Sequence, residues 1–535
     1  MKKQPAPPAP GFRIFEAASV LLFFFQALRV IISVMFGVIY DEVFAGSPGL
    51  RLVLSNLLLV AALLAPAILP RRPHSGWLTG AAIAAALARM TFSLNDPVPR
   101  FWGALVVIAA GGLYLAALLR FERRALVTAL FSALILDQLI RILGDTYDFG
   151  LRSQWWLIQF PWSMYIVNLA LRLGRAARDQ QPSGGVGWAW GAAFGGFLFL
   201  QSSLLSLPNA VAGWSGIPYW AAALGLLLLT LLFWDPDIQR RIASLFSSGG
   251  PAPALRLAAA LLLPLSLLAG YFLSGPLAGA ALLLAHALAL LLALKLLSPG
   301  EEGEETRGAR SGPALALGLL FFLLLVFFNA FAFTYPYSLP FMRGLGWAVF
   351  LVGAAGAASG FLAPWRLGAA PQDLPLAPIL RLAAGAALLF FAGSIVLPAA
   401  APGEDAAELR IATYNIHYGY DENWAYTLEE IARTISLEGA DVAMLQEVDT
   451  GRLTSYGVDN AYYLARTLGM NVYYLPTVEH LTGIAVLYRG EATELEARLL
   501  PSRQEQTGII RVTLDNGGGR CTPSASGWVS RMRIP

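Results

Sequence analysis

Leu409-Arg-Ile-Ala-Thr-Tyr-Asn415-Ile-His417-Tyr-Gly419, followed by Asp441-Val-Ala-Met-Leu-Gln446-Glu447-Val-Asp449, is the stretch on which the fold of this chain turns. Each run is apolar and β-branched and ends in polar residues able to hold a metal ion or a phosphate. What precedes it is almost continuously apolar. The chain therefore divides into a membrane region, 1–400, a linker, 401–408, and a soluble α/β module that begins at 409.

Composition supports the division. Of 535 residues, 57% are hydrophobic and 13% charged, where a soluble globular protein carries roughly 25% charged residues. Mean hydropathy is +0.60. The net charge of +3 gives no electrostatic reason to expect nucleic acid as a partner. Cys521 is the single cysteine, which excludes an intrachain disulfide and a cysteine-built metal site. The richness in Ala, Leu, Gly and Arg points to a GC-rich bacterial gene. Met1-Lys-Lys and a Pro-rich stretch lead into a long apolar segment with no small-residue cleavage site, so the first span is read as retained.

A spanning helix needs about 20 apolar residues. Candidates centre on 17–40, 52–69, 77–93, 102–119, 125–143, 155–171, 187–207, 217–234, 257–274, 276–294, 314–334, 345–363 and 382–399, about thirteen spans in all. Alternate loops hold Lys2, Lys3 and Arg13, then Arg71 and Arg72, Arg120, Arg123 and Arg124, Arg172, Arg175 and Arg178, Arg240 and Arg241, Lys295, Arg307 and Arg310, and Arg366. The opposite loops hold only Arg51, Arg100, Arg152 and Arg343. By the positive-inside rule the N-terminus is cytoplasmic and the C-terminal module extracytoplasmic, in a multi-pass protein of the cell membrane. The acidic, Gly-rich loop 296–313 reads as a solvated cytoplasmic loop, with a subdivision of the bundle there as the alternative.

Ionisable residues inside spans are functional candidates by default. Arg29, Arg89 and Asp137 are the three singled out, with Arg141 one turn from Asp137. Pairing across the bundle, or reception of a lipid phosphate, stands against a structural ion pair with snorkelling arginines. His286 reads as a packed residue, and no span has a broken-helix pattern that argues for transport.

Within the module, Thr427-Leu-Glu-Glu430 is a capping box opening a helix with Leu428, Ile431 and Ile435 on one face. Asp459 can cap a second helix, Asn460–Leu468, closed by Gly469. Strands are expected at 471–475, 483–488 and 508–514. If the two opening strands pair, Asn415 and Glu447 stand side by side. Asn415 then offers an amide to a phosphate oxygen, and Glu447 a hard carboxylate suited to Mg²⁺ or Mn²⁺.

These residues resemble the endonuclease/exonuclease/phosphatase (DNase I-like) superfamily. Thr413-Tyr-Asn415-Ile416 with Gly419 is similar to its first motif, and Asp441-Val-Ala-Met-Leu-Gln-Glu447-Val448 to its second. The resemblance covers about 408–519. It implies a four-layer α/β sandwich, a metal on Glu447, an active-site role for Asn415 and a phosphodiesterase or phosphatase reaction. It implies no catalytic role for His417 or His480. The family's later G-D-x-N and S-D-H segments have no counterpart, and Leu481–Arg489 lacks a polar Asn that some members carry. The tail 520–535 shows no strand period, so a truncated, partial sandwich and an inactive chain are expected.

A many-span region joined to such a module is also similar in layout to the eukaryotic membrane proteins that remodel GPI-anchor lipids, which makes a lipid-linked phosphate the expected substrate. The alternative is a polytopic protein for lipid binding or transport whose C-terminal module is accessory. Oligomeric state is not legible.

Overall fold

The computed structural model describes residues 10–44, 49–70, 73–177, 181–182, 185–247, 251–298, 310–333, 339–365, 378–396, 409–502, 506–515, 520–521 and 524–526. The expected linker 401–408, most of the acidic loop 296–313 and most of the tail lie outside the described residues.

Fifteen helices make up the described N-terminal part: α1 (Pro10–Phe44), α2 (Leu50–Leu64), α3 (Gly76–Ala88), α4 (Pro97–Phe121), α5 (Arg123–Leu143), α6 (Trp156–Ala176), α7 (Trp188–Leu200) and α8 (Pro208–Ser215), then α9 (Tyr219–Trp234), α10 (Pro236–Ser247), α11 (Ala252–Phe272), α12 (Gly275–Leu297), α13 (Ser311–Phe333), α14 (Gly346–Leu362) and α15 (Pro378–Val396). Every one of the thirteen expected spans falls on a helix, but the count does not carry over. Among the described residues eight helices are long and apolar enough to cross a membrane, or ten if two bent pairs each count as one span.

The shortfall has local causes. α3 is only 13 residues long and gives way to a 3₁₀ turn at Arg89. α14 stops at 17 residues. α6 carries Gln159, Asn168, Arg172 and Arg175 along its 21 residues. The bent pairs are α7–α8, at 71°, and α9–α10, at 79°. Each breaks at a proline, Pro208 or Pro236, which has no N–H to continue the ladder. α7 runs into a π-helical turn, Gln201–Leu205, before its break.

Large apolar side chains point outward from the bundle, with Leu157 82% and Phe390 81% exposed, as lipid-facing surfaces require. Inside it, α7 approaches α13 backbone to backbone: a Cβ at Gly191 or Gly195 would strike the carbonyl of Ala314 or Gly318. Small residues four apart permit this packing, which is how helices associate when lipid removes the hydrophobic drive.

The module opens with β1 (Ile411–Asn415), α16 (Leu428–Leu437), β2 (Val442–Asp449), α17 (Asn460–Leu468), β3 (Asn471–Val478) and β4 (Thr482–Tyr488). These strands form one sheet, in the order β1-β2-β4-β3. β1 and β2 run parallel, with Ile411 opposite Val442 and Asn415 opposite Gln446. A second sheet holds β5 (Ala492–Leu499), β6 (Gly508–Asp515), β7 (Arg520–Cys521) and β8 (Ser524–Ser526).

Val442, Ile484, Val486 and Tyr488 of the first sheet meet Ile510, Val512 and Leu514 of the second in one buried cluster. α16 and α17 cover the other face of the first sheet through Leu428, Ile431 and Leu464. Among the described residues the module thus shows three layers, helices on sheet on sheet. The short strands β7 and β8 lie where the sequence shows no strand period. Both pair with β6, whose edge offers backbone groups to any extended segment.

One buried apolar cluster runs without interruption from Phe24, Phe36 and Leu118 of the helices into Tyr420, Tyr426, Leu445 and Ala485 of the module. The module is seated on the bundle.

Candidate active site

The parallel pairing of β1 and β2 carries Asn415 and Glu447 to the same end of the sheet. The Ile416 amide donates to the Gln446 carbonyl at 3.1 Å, so Glu447 lies one residue past the last paired position. Between Leu445 and Val448 the register against β4 slips by a bulge, and Glu447 there has φ +54°. A bulge re-aims the side chain it carries. A carboxylate-bearing residue held in the left-handed region is strained by about 1–2 kcal/mol. Gly483, opposite Val448, lets β3 approach β4 closely, since a Cβ there would strike the Leu475 carbonyl.

Asn415 is exposed at the end of an edge strand. Its Oδ1 accepts from the His417 amide at 2.9 Å, which commits the oxygen to the turn and leaves the NH₂ group to face outward. Gln446 steadies the strand ends, its Nε2 donating to Thr413 Oγ1 and to the Met444 carbonyl, both at 3.1 Å. His417 packs 4.9 Å from the Trp424 ring and 5.7 Å from Tyr40 of α1, and burial lowers its pKa. His480 is likewise set between Trp214 and Tyr271, its pKa lowered by burial. Both rings are packed against helices, as a structural role requires.

The segment after Glu447, from Asp449 to Asp459, drives into the helices. Ser33 Oγ of α1 donates to the Leu453 carbonyl at 2.7 Å and accepts from the Tyr456 amide at 2.9 Å. Arg141 Nη1 donates to the Gly457 carbonyl at 3.0 Å, as does Asn209 Nδ2 at 3.0 Å. Arg100 donates to the Tyr456 hydroxyl at 3.3 Å and to the Leu151 carbonyl at 2.5 Å. Around this plug Trp424 Nε1 donates to Asp41 at 2.9 Å and Arg152 pairs with Glu429 at 2.5 Å.

Asp449 is buried against Ser455 and Thr482, with Arg452 at 3.8 Å. Desolvation raises its pKa against these partners. Asp459 caps α17 by accepting from the Tyr462 amide at 2.8 Å, and burial pushes its carboxyl up to about 7.

Of the charges expected inside spans, the structure brings Arg29 and Asp137 together. Arg29 Nη1 and Nη2 donate to the two carboxylate oxygens, each at 2.5 Å, and Arg141 Nε lies 3.7 Å from Asp137 on the other side. Arg89 is apart from this triad. It donates to Gln26 at 3.0 Å, to the Gly150 carbonyl at 3.0 Å and to Gln159. Among the described residues the triad reaches the module through Arg141, which donates to the Gly457 and Tyr456 carbonyls.

Sequence reasoning passed over Arg100, which it counted as a loop charge. It is 1% exposed inside α4, and its spacing from the preceding apolar run held no signal of that. Tyr456 and Asn209 were also passed over, since a partner more than two hundred residues away leaves no local pattern.

Among the described residues no three His, Cys, Asp or Glu side chains converge as a metal cage. Mg²⁺ requires none, as it binds through one or two carboxylates and keeps several waters. Glu447 with the Asn415 amide beside it fits that chemistry.

Residues 412–531 match the model of the Endonuclease/Exonuclease/phosphatase family. The match suggests a phosphoesterase-type function for that region, in a family whose enzymes are generally dependent on divalent metals. No curated protein matches the chain.

Proposed function

We propose that the protein is a membrane-anchored, extracytoplasmic, Mg²⁺-dependent phosphodiesterase or phosphatase that acts on a lipid-linked phosphate. The observation that carries this reading is the shared sheet end of Asn415 and Glu447, in a module whose Asn415 turn packs on Tyr40 of an apolar helix. A substrate tethered in a bilayer would meet those residues without leaving it.

Glu447 would hold the ion, which when bound neutralises phosphate charge and lowers the pKa of water. Asn415 would donate from its amide to a phosphate oxygen. The bulge at Glu447 fixes the carboxylate before substrate arrives, so its orientation is set by folding and not by binding. The loop charges support the extracytoplasmic side, and the joining of many apolar helices to this module supports the likeness to GPI-lipid remodelling proteins, by layout alone.

The test is phosphodiester hydrolysis by membranes containing the full chain, with Mg²⁺ and after chelation, compared with Glu447→Ala. Metal-dependent activity that Glu447→Ala abolishes supports the reading. Activity indifferent to both overturns it.

The bent pairs α7–α8 and α9–α10 favour one second reading, a bundle that binds or moves lipid with the module as accessory. In that case Arg29→Leu, Arg89→Leu or Asp137→Leu abolishes function and Glu447→Ala leaves it intact.

A further inference from the structure

α9 and α10 meet at 79°, and the corner between them is held by hydrogen bonds. Pro236 ends the ladder of α9. Asp235 Oδ1 accepts from the amides of Asp237 and Ile238 at 2.8 and 3.2 Å, which caps α10. Gln239 Nε2 donates back to the Phe233 carbonyl of α9 at 2.7 Å. At its other end α9 begins with Tyr219, whose ring lies 4.6 Å from Tyr462 of the module. α10 therefore runs across the face of the bundle away from the module, close to a right angle from the helix that reaches it.

The twelve residues of α10 divide into three sides. Gln239 and Ala243 are buried, where α10 packs on α9 and α11. Ile238, Ile242 and Leu245, spaced four and three apart, form one apolar stripe, and Leu245 is 61% exposed. Arg241 and Ser244 are exposed on the third side. A helix at the rim of a soluble protein needs only two sides, one for the core and one for water. The sideways stripe has a use where a third medium is present, and α11 beside it shows Leu257 and Leu261, 53% and 56% exposed, to the same surroundings. A basic amphipathic helix lying in the plane of a bilayer surface has this layout.

Charge selects the lipid. The two carboxylates at the corner are already engaged: Arg381 of α15 pairs with Asp235 at 2.8 Å and also with Asp237, and Arg240 pairs with Asp237 at 2.5 Å. Arg241 is exposed and pairs with no carboxylate among the described residues. Arg256, in the first turns of α11, donates to the Phe246 carbonyl at 3.0 Å, which sets another guanidinium at the end of α10. The corner thus presents an excess of positive charge beside its apolar stripe.

We propose that α10 lies in the headgroup layer of the leaflet opposite the module and docks on anionic phospholipid. Ile238, Ile242 and Leu245 turn to the ends of the acyl chains, Arg241 meets a headgroup phosphate, and Ser244 faces water. The inference rests on the bundle being embedded in a bilayer and is independent of Glu447 and its chemistry.

The full chain with Cys521→Ser receives one new cysteine at a time, Leu245→Cys, Ser244→Cys or Phe390→Cys. Each carries a nitroxide, in nanodiscs of mixed phosphatidylcholine and phosphatidylglycerol. Collisions with oxygen report the apolar layer, and collisions with a nickel chelate report water. Oxygen is expected to relax the label at 245, and nickel the label at its neighbour 244. Phe390, on the outward face of α15, checks the bundle itself. Nickel access at 390 refutes the membrane reading and this inference with it, whereas oxygen at 390 with nickel at 245 refutes only the seat of α10. A label at 245 shielded from both reagents means that protein covers the stripe, which also overturns the proposal.

Charge is read with bimane on Leu245→Cys, quenched by brominated phosphatidylglycerol or brominated phosphatidylcholine at equal content. The anionic lipid should be favoured about fivefold, the effect of one cation near an anionic surface. That preference should vanish in Arg241→Gln and return in Arg241→Lys. Equal quenching by the two lipids, or a preference that Arg241→Gln leaves intact, overturns the proposal. Should Leu245→Cys fail to fold by thermal melting, Ile242→Cys on the same stripe carries both labels.

Discussion

Arg29 and Asp137 stand 108 positions apart in sequence and form a two-pronged ion pair, wholly buried between α1 and α5. Arg141, 3.7 Å from the same carboxylate, makes the group a triad with one positive charge in excess. The two partners are therefore not equivalent. Asp137→Leu strands two guanidiniums and should destabilise the protein by about 3–5 kcal/mol, the cost of uncompensated buried charge. Arg29→Leu leaves Asp137 with Arg141 and should be clearly milder. Thermal unfolding in detergent compares them, and equal losses would mean that Arg141 does not serve as the second partner.

Ser33 links bundle and module through one hydroxyl, which serves both the Leu453 carbonyl and the Tyr456 amide. Ser33→Ala leaves two buried backbone groups unpaired and should loosen the seam by about 1–3 kcal/mol. Amide hydrogen exchange reads this locally: faster exchange confined to 449–459 is expected, with β3 and β4 unchanged. Uniform acceleration across the module would place the effect elsewhere.

Asp459 makes stability depend on pH with an unusual sign. Its folded pKa, about 7, lies above the ordinary carboxylate value of about 3.9, so between those values the folded state holds the extra proton. Stability from this group is greatest below about pH 4 and is lost as pH rises through 7. Asp459→Asn keeps the acceptor that caps α17 and removes the titration. The melting temperature of the variant should gain on the parent as pH rises from 4 to 8, and parallel profiles would refute the assignment.

Glu447 separates backbone strain from chemistry. With φ at +54°, a glycine is relieved of a penalty that an alanine keeps. Glu447→Gly should therefore be about 1 kcal/mol more stable than Glu447→Ala, the reverse of the usual order. Both should lack metal-dependent hydrolysis. Chemical denaturation of the two variants measures the difference, and an alanine variant as stable as the glycine one would show that the bulge relaxes.

The opening strands were legible because the information is local. Ile411–Asn415 and Val442–Asp449 show strand character within a few residues, and the capping motifs at Thr427 and Asp459 stand next to the helices they start. Helix existence in the first 400 residues was equally plain, since an apolar run of that length has few other fates. Span lengths were less so: α3 and α14 are apolar enough yet end early at a 3₁₀ turn or a loop.

The seam was not legible at all. Ser33 meets Tyr456 across more than four hundred residues, and Arg100 lies at the end of a span where a solvated loop charge would have the same sequence. Pairing of Asp137 with Arg29 or Arg89 could be posed as a possibility, but only packing of α1 on α5 decides that Arg29 is the partner.

The plug at 449–459 bears on how the protein is made. A ribosome delivers α1, α4, α5 and α8 long before residue 449 emerges, so Ser33, Arg100, Arg141 and Asn209 are made without the module's backbone groups and Tyr456 hydroxyl that they finally serve. Domains generally fold in order of synthesis, and here the last segment completes the first. Assembly of the bundle is thereby tied to arrival of the module, and until residue 449 is made four polar side chains wait for their partners.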